Sequence, residues 1–329
     1  MNNRLPSAPV IIPARPDQGD IKAVAAARQL DYPAELLEII VARGRQPSVQ
    51  RNAALRAARG EVVYFLDDDS VPPAGNLRRA ATLFSDARVQ MAGGPNLCPP
   101  EAPAREQIFA LVLGSWIAFG PSRARYTPVG KLRDSGEKEL ILCNLVARRE
   151  SLLELGGFNE ALYPNEENAL MDDLQKRGGR LLYDPDLVVR RHPRPTLAAF
   201  TKMLRTYGRG RAEQFRLNPT FGSAPNFVPP LFCVYLLSLI LLELWPLGNS
   251  FAPVKAFAGW PLAVYCVAIV LQTLVLIPAG GIGRSLLAMP LLVASHLFYG
   301  FGFWRGLFTK LQGGGNQPVA EVVLEKIPL

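Results

Sequence analysis

Residues that bind soft metals or form disulfides are scarce in this chain: its 329 residues include two histidines and four cysteines. Cys98, Cys143, Cys233 and Cys266 lie far apart and form no C-x-x-C pair. That excludes a zinc knuckle or a disulfide framework and leaves reduced, buried thiols. The N-terminus, MNNRLPSAP, is polar, and the run VIIPA after it is too short for the apolar core of a signal peptide. Residues up to about 190 are therefore expected in the cytoplasm. Internal repeats and low-complexity tracts are absent as well.

The C-terminal third lacks acidic residues. Val228 to Leu247, Phe257 to Pro278 and Ser285 to Trp304 are apolar stretches that together hold one acid, Glu243. Each approaches the ~20 residues needed to cross a bilayer. A membrane domain of about three helices and a tail is expected over 226–329, with buried helices of a soluble protein as the competing reading. The formal net charge of +8 is concentrated just before it, where eight Arg and Lys between Arg190 and Arg216 stand against Glu213 alone. This is a positive-inside pattern, and each basic residue near an anionic lipid surface contributes ~1 kcal/mol of attraction. Leu197, Phe200, Leu204 and Tyr207 fall on one helical face, so 191–225 reads as a basic juxtamembrane region with an interfacial helix. Membrane lipids are thus expected partners. A nucleic-acid patch is the competing reading, but no nucleic-acid fold or aromatic-interleaved motif accompanies the charge, and no nucleic acid is expected.

The most informative stretch present is Val62 to Ser70, VVYFLDDDS. Five strand-forming apolar residues end in three carboxylates, and Pro72-Pro73 stops the chain soon after. In open α/β sheets ligands bind at the C-terminal ends of strands. Asp67, Asp68 and Asp69 repel one another unless a cation compensates them. Hard oxygen ligands at this density suit Mg2+ or Mn2+ bridging to substrate phosphates; the bland alternative is a solvated acidic turn.

Around that strand the pattern alternates. Val10 to Ile12 and Leu37 to Val41 read as strands, and Ile21 to Leu30 and Ser48 to Ala58 as helices, with Ser48 as N-cap of the second. The rhythm is that of an α/β sheet, a cytoplasmic domain over 1–190. A helical stretch from Arg105 to Phe119 follows. ILCNLVARRESLLELGGF then gives a strand and a short helix, and PNEENALMDDLQKRGG places Asn165, Glu166, Glu167 and Asn168 at a helix start, where the macrodipole tolerates carboxylates. RLLYDPDLVV reads as a further strand, and His192 after it, in the same sheet, is within reach of the acid cluster.

Five segments in order resemble the family-2 glycosyltransferases of GT-A fold: VIIPAR, PSVQRNAALRAARGEVVYFLDDDSVPP, LCNLVARRESLLELGGFNEAL, YPNEENALMDDLQKRGGRLLYDPDLVVRRHPRP and YGRGRAEQF. The PNEEN and HPRP segments are similar to those of membrane-attached bacterial members that build surface polysaccharides and lipid-linked sugars. The resemblance implies a mixed-sheet GT-A domain followed by transmembrane helices at the bacterial inner membrane. It also implies inverting transfer of a sugar from a nucleotide-diphosphate donor to a lipid-linked or glycan acceptor. On that basis Pro13, Arg15, Arg51 and Asp67 are donor-binding candidates. Asp67, Asp69 and His192 would hold a divalent ion, and Arg209 and Arg211 would clamp the diphosphate. Glu167 is the candidate base, with Glu166 as the alternative. Two departures stand out. Ala42-Arg43-Gly44-Arg45 carries no acid where many relatives read the base or ribose, and the processive Q-x-x-R-W signature is absent, which implies single-sugar addition. A haloacid-dehalogenase-type phosphatase also uses D-x-D after a strand, but on the first strand, whereas two precede it here. A catalytically inactive sugar-nucleotide binding module is the other alternative.

Overall fold

The computed structural model describes residues 4–160, 166–217, 219, 221–245, 252–309 and 321–329. Asn165, singled out in the sequence, lies outside these residues. The chain divides into two compact units: a sheet unit of residues 1–100, 121–192 and 312–329, and a helical unit of residues 101–120 and 193–311.

The sheet unit begins with β1 (Ala8–Ala14), α1 (Lys22–Ala27), β2 (Leu37–Arg43), α2 (Pro47–Ala57) and β3 (Val62–Leu66). Strand β1 runs parallel to both β2 and β3, as the strand–helix alternation requires. Every residue of β1 and β3 is buried. Their unbroken apolar runs therefore mark strands covered on both faces. Beyond β3 come α3 (Asn76–Leu83), β4 (Val89–Gly93) and β5 (Asn96–Leu97). After the helical unit's insertion, β6 (Arg133–Asp134), β7 (Asn144–Arg148), α6 (Arg149–Glu154), α7 (Glu166–Lys176), β8 (Arg180–Tyr183) and β9 (Val189–Arg190) follow. The final strand is β10 (Val323–Ile327). The eight-stranded sheet has the order β10-β2-β1-β3-β7-β4-β8-β6, and β5 pairs with β9 separately. It is a mixed sheet, because β7 is antiparallel to both β3 and β4.

Three local expectations change. Helix α2 starts at Pro47, with Gln46 at the N-cap and Ser48 buried inside the first turn. Proline at the first helical position has its φ preset and loses no hydrogen bond, so it outcompetes the serine. The single strand read from RLLYDPDLVV breaks at Asp184-Pro185 into β8 and β9, and β9 belongs to the small sheet. His192 consequently does not follow a strand of the main sheet. The helical stretch at 105–119 is two helices, α4 (Ala104–Leu113) and α5 (Trp116–Phe119), parted at Gly114-Ser115.

In the helical unit, α4 and α5 pack with α8 (Leu197–Leu217), α9 (Val228–Leu244) and α10 (Ala252–Phe308). The apolar face of α8 is covered by protein: Phe200 and Leu204 are fully buried, and Phe200 stacks on Phe109 with ring centroids 4.3 Å apart. That corrects the interfacial reading for those two side chains, while Leu197 remains 51% exposed. A Cβ on Gly302 would come within 2.1 Å of the Arg205 carbonyl oxygen, so α8 and α10 approach backbone to backbone. Helix α10 is interrupted at Gly281, whose φ of 73° and ψ of 166° suit a residue without a Cβ. Tyr265 and His296, 31 residues apart, hydrogen-bond at 2.9 Å across that break, so α10 folds back on itself. Among the described residues, two helical stretches, Gly222–Leu244 and Pro253–Phe308, are long and apolar enough to cross a membrane. The last two of the three expected segments are the two arms of α10.

The tail does not stand apart from the sheet. Strand β10 pairs antiparallel with β2, with Arg43 Nε 2.6 Å from Glu325 Oε1 and Lys326 Nζ 2.5 Å from Glu38 Oε1. A membrane crossed by the helical unit must therefore be crossed an even number of times. Topology reporters fused at Met1 and at Leu329 are expected to read the same side. Opposite sides would show that β10 does not pair with β2 in the membrane-bound protein.

Candidate active site

The acids sit where β3 ends, and α2 and the chain around β9 bring their counter-charges. From α2, Arg51 Nη2 donates to Asp67 Oδ1 at 2.9 Å and Arg51 Nη1 to Glu166 Oε1 at 3.3 Å. Arg51 and Glu166 side chains are only 7% and 4% exposed, so this ion pair is largely out of water. From the other side, Arg191 Nη1 reaches Asp67 Oδ2 at 2.9 Å and Arg191 Nε reaches Asp69 Oδ1 at 2.5 Å. Burial alone would lower the Arg191 pKa, but Asp67, Cys143 and Asp69 around it hold it well above the ordinary value. Burial pushes the adjacent Cys143 thiol up to about 12, with Arg191 opposing. That thiol is protonated and inert at neutral pH.

The placement of Arg191 follows from a buried polar network. The Tyr64 hydroxyl donates to Asn144 Oδ1 at 2.9 Å and accepts from Asn76 Nδ2 at 3.2 Å. Asn144 Nδ2 and Asn76 Nδ2 donate to the carbonyls of Leu187 and Val188 at 2.6 and 2.8 Å. Arg190 exchanges backbone hydrogen bonds with Val71, and Arg191 N–H donates to Leu97. Every bond fixes the segment that carries Arg191. A Cβ on Gly94 would lie 2.1 Å from the Leu187 carbonyl oxygen, so only glycine admits this close approach.

The first turn of α7 is held on two sides. Glu166 is bound by Arg51, and Asn168 Oδ1 accepts from Arg125 Nη2 at 2.7 Å. Glu167 between them is rotated about 100° from each and is partly exposed. The remaining polar residues of α2 brace the same region. Gln50 Nε2 donates to the carbonyls of Ala14 and Ala42 at 2.8 and 2.5 Å, and Asn52 holds Phe158 through both its N–H and its carbonyl.

Pro13 is buried in β1, and Arg15 is exposed just beyond it, its carbonyl accepting from Arg43 Nη1 at 3.3 Å. Arg209 and Arg211 stand in α8 of the helical unit, where they engage Glu213 and Gln214. Among the described residues no three His, Cys, Asp or Glu side chains converge to hold a metal. Arg191, the neighbour of His192, binds both Asp67 and Asp69. The pair Asp67 and Asp69 nonetheless fits a hard divalent ion, which is commonly held by one or two carboxylates with waters and substrate phosphates completing its shell. Two contributors escaped sequence reasoning. Arg191 was counted only as bulk positive charge, and Glu325 brings an acid to Arg43 across 282 residues, at the strand end where the local sequence has none.

A mixed sheet whose parallel strands end in an acid pair, with helices on both faces, defines a GT-A-like fold. Residues 2–209 match the family described as glycosyltransferase like family 2, and the chain belongs to that family. It is 28% identical over 173 residues to the pre-mycofactocin glycosyltransferase of Mycobacterium tuberculosis, in strains CDC 1551 / Oshkosh and ATCC 25618 / H37Rv alike. That match covers 49% of this chain and 33% of the relative, so the chain spans about a third of the length of the curated relatives it matches. Among solved structures, the mannosyltransferase PcManGT from Pyrobaculum calidifontis, in complex with GDP-Man and Mn2+, is similar at a TM-score of 0.52 and 18% identity. The similarity covers 93% of this chain and 88% of that one.

Arg51→Leu removes the guanidinium that binds both Asp67 and the buried carboxylate of Glu166. Breaking one partner of a buried pair costs about 3–5 kcal/mol. A clearly lowered melting midpoint of the detergent-solubilised chain is expected, and an unchanged midpoint would show that the pair is not structural.

Proposed function

We propose that this chain is an inverting glycosyltransferase that moves one sugar from a nucleotide-diphosphate donor to a hydroxyl of a membrane-associated acceptor, lipid-linked or glycan. It works at the cytoplasmic face of the bacterial inner membrane. The observation that carries the reading is the chain of ion pairs Asp67–Arg51–Glu166. It joins the acidic end of β3 to the start of α7, the helical turn that carries Glu167.

In this reading Asp67 and Asp69 hold the donor ribose and a divalent ion, Mg2+ or Mn2+. The ion supplies positive charge for the leaving diphosphate. The Mn2+ and GDP-Man of the archaeal mannosyltransferase support such a donor. Pro13 and Arg15, at the end of β1, lie beside the nucleotide. Displacement with inversion requires a base on the opposite face of the sugar. Glu166 is engaged by Arg51, so its carboxylate serves as an anchor. Glu167, flanked by two tethered neighbours and partly exposed, takes the proton of the acceptor hydroxyl.

Glu167→Gln keeps the shape of the side chain but removes its basicity. Turnover is expected to fall by ~10²–10⁴-fold with donor affinity little changed. Glu166→Gln is expected to lower the melting midpoint more than turnover. Single-turnover transfer assays with donor titrations on both variants distinguish the roles. A larger rate loss at Glu166 would reverse the assignment, and an undiminished rate in both would remove this helix start from the chemistry.

A further inference from the structure

We propose that Arg191 is an internal counter-ion for Asp67 and Asp69 that is exchanged for the divalent ion when the donor diphosphate arrives, making metal and donor binding interdependent. This rests on the donor-site reading above.

The geometry sets up a competition. Arg191 bonds Asp67 Oδ2 and Asp69 Oδ1, the oxygens a divalent ion would take from this pair. The two guanidinium groups at the site are not equivalent. Arg51 is 7% exposed and pinned between Asp67 and Glu166, whereas the Arg191 side chain is 21% exposed and its partner Asp69 is 38% exposed. Only Arg191 has solvent into which it can turn. Its backbone is locked to Leu97 and flanked by the Arg190–Val71 bonds, so the side chain can move while its anchor stays fixed.

Charge explains why the exchange is needed. The carboxylates of Asp67, Asp69 and Glu166 outnumber the two guanidinium groups, Arg51 and Arg191, that bind them before any donor enters. A nucleoside diphosphate brings more negative charge, so the arginines do not suffice and a divalent ion is drawn in. An ion arriving alone must strip Asp69 from a charge-assisted bond and leave a partly buried guanidinium without a partner. When the diphosphate arrives with it, the displaced guanidinium gains a phosphate, for which its planar fork is suited. Each ligand therefore favours the other, and in the absence of both Arg191 keeps the crowded acids from repelling one another.

The test uses the full chain in detergent, with Mn2+ binding followed by electron paramagnetic resonance of the free ion, with and without UDP or GDP. For wild type, weak Mn2+ binding that either nucleotide strengthens by about 5–150-fold, the usual range of such coupling, is expected. Arg191→Gln is expected to bind Mn2+ alone more tightly than wild type and to show little further gain from nucleotide. Arg191→Lys, which keeps the charge without the fork, is expected to fall between the two and serves as the comparison if the glutamine variant does not fold. Mn2+ alone binding Arg191→Gln no better than wild type, or Arg191→Lys no better should only that variant fold, would overturn the exchange. Tighter Mn2+ binding by the variants with no effect of either nucleotide on any form would retain Arg191 as the acids' counter-ion, while overturning the coupling and the donor reading beneath it.

Discussion

Carboxylates crowded at the end of β3 repel one another, and the organisation of the sheet unit answers that repulsion. Arg51 approaches from α2 and Arg191 from beyond β9, and each binds a different oxygen of Asp67. The two arginines come from distant parts of the chain, so the acids are compensated only once both α2 and the β9 segment are docked. Charge neutralisation here is thus linked to completion of the tertiary fold. The site is assembled by the same contacts that hold the unit together.

Helix α2 is the keystone of that assembly. Three consecutive residues, Gln50, Arg51 and Asn52, are all buried. Polar side chains tolerate burial only when their hydrogen bonds are met, and each of these meets them on a different element. Gln50 closes the ends of β1 and β2, Arg51 links β3 to α7, and Asn52 fixes the loop before α7. On the opposite side, Tyr64 performs an equivalent task from inside β3 through Asn144 and Asn76. These bonds tie down the backbone around the acids, while Arg191, Asp69 and Glu167 keep partly exposed side chains.

The helical unit is joined to the sheet unit by sequence at both ends, since the chain returns after α10 to add β10 beside β2. The apolar helices and the strand that completes the sheet are consequently parts of one polypeptide circuit. The pairing also removes an exposed strand edge from β2, which an isolated parallel edge would leave open to association.

Much of this was written locally in the sequence. The runs at β1, β2 and β3 are apolar because both faces of those strands are covered, and the halt at Asp67 marks a strand end whatever the rest of the fold. The apolar arms of α10 and the basic cluster before them likewise follow from composition, as does the acid pair at the start of α7. What needed tertiary structure were relations between distant residues. Glu166 and Glu167 are adjacent and chemically alike in the chain. Only the position of Arg51 distinguishes the anchored carboxylate from the partly exposed one. Nothing in the local sequence pairs Arg191 with Asp67 and Asp69; that pairing is made beyond β9, which lies in its own small sheet. The tail strand VLEKI is too short to be recognised by period alone, and its place was decided by an edge of β2 that lies some 280 residues earlier. Local pattern reports burial and charge because these act on each residue separately. Partnership across the fold is decided by which elements dock, and no stretch of sequence carries that information by itself.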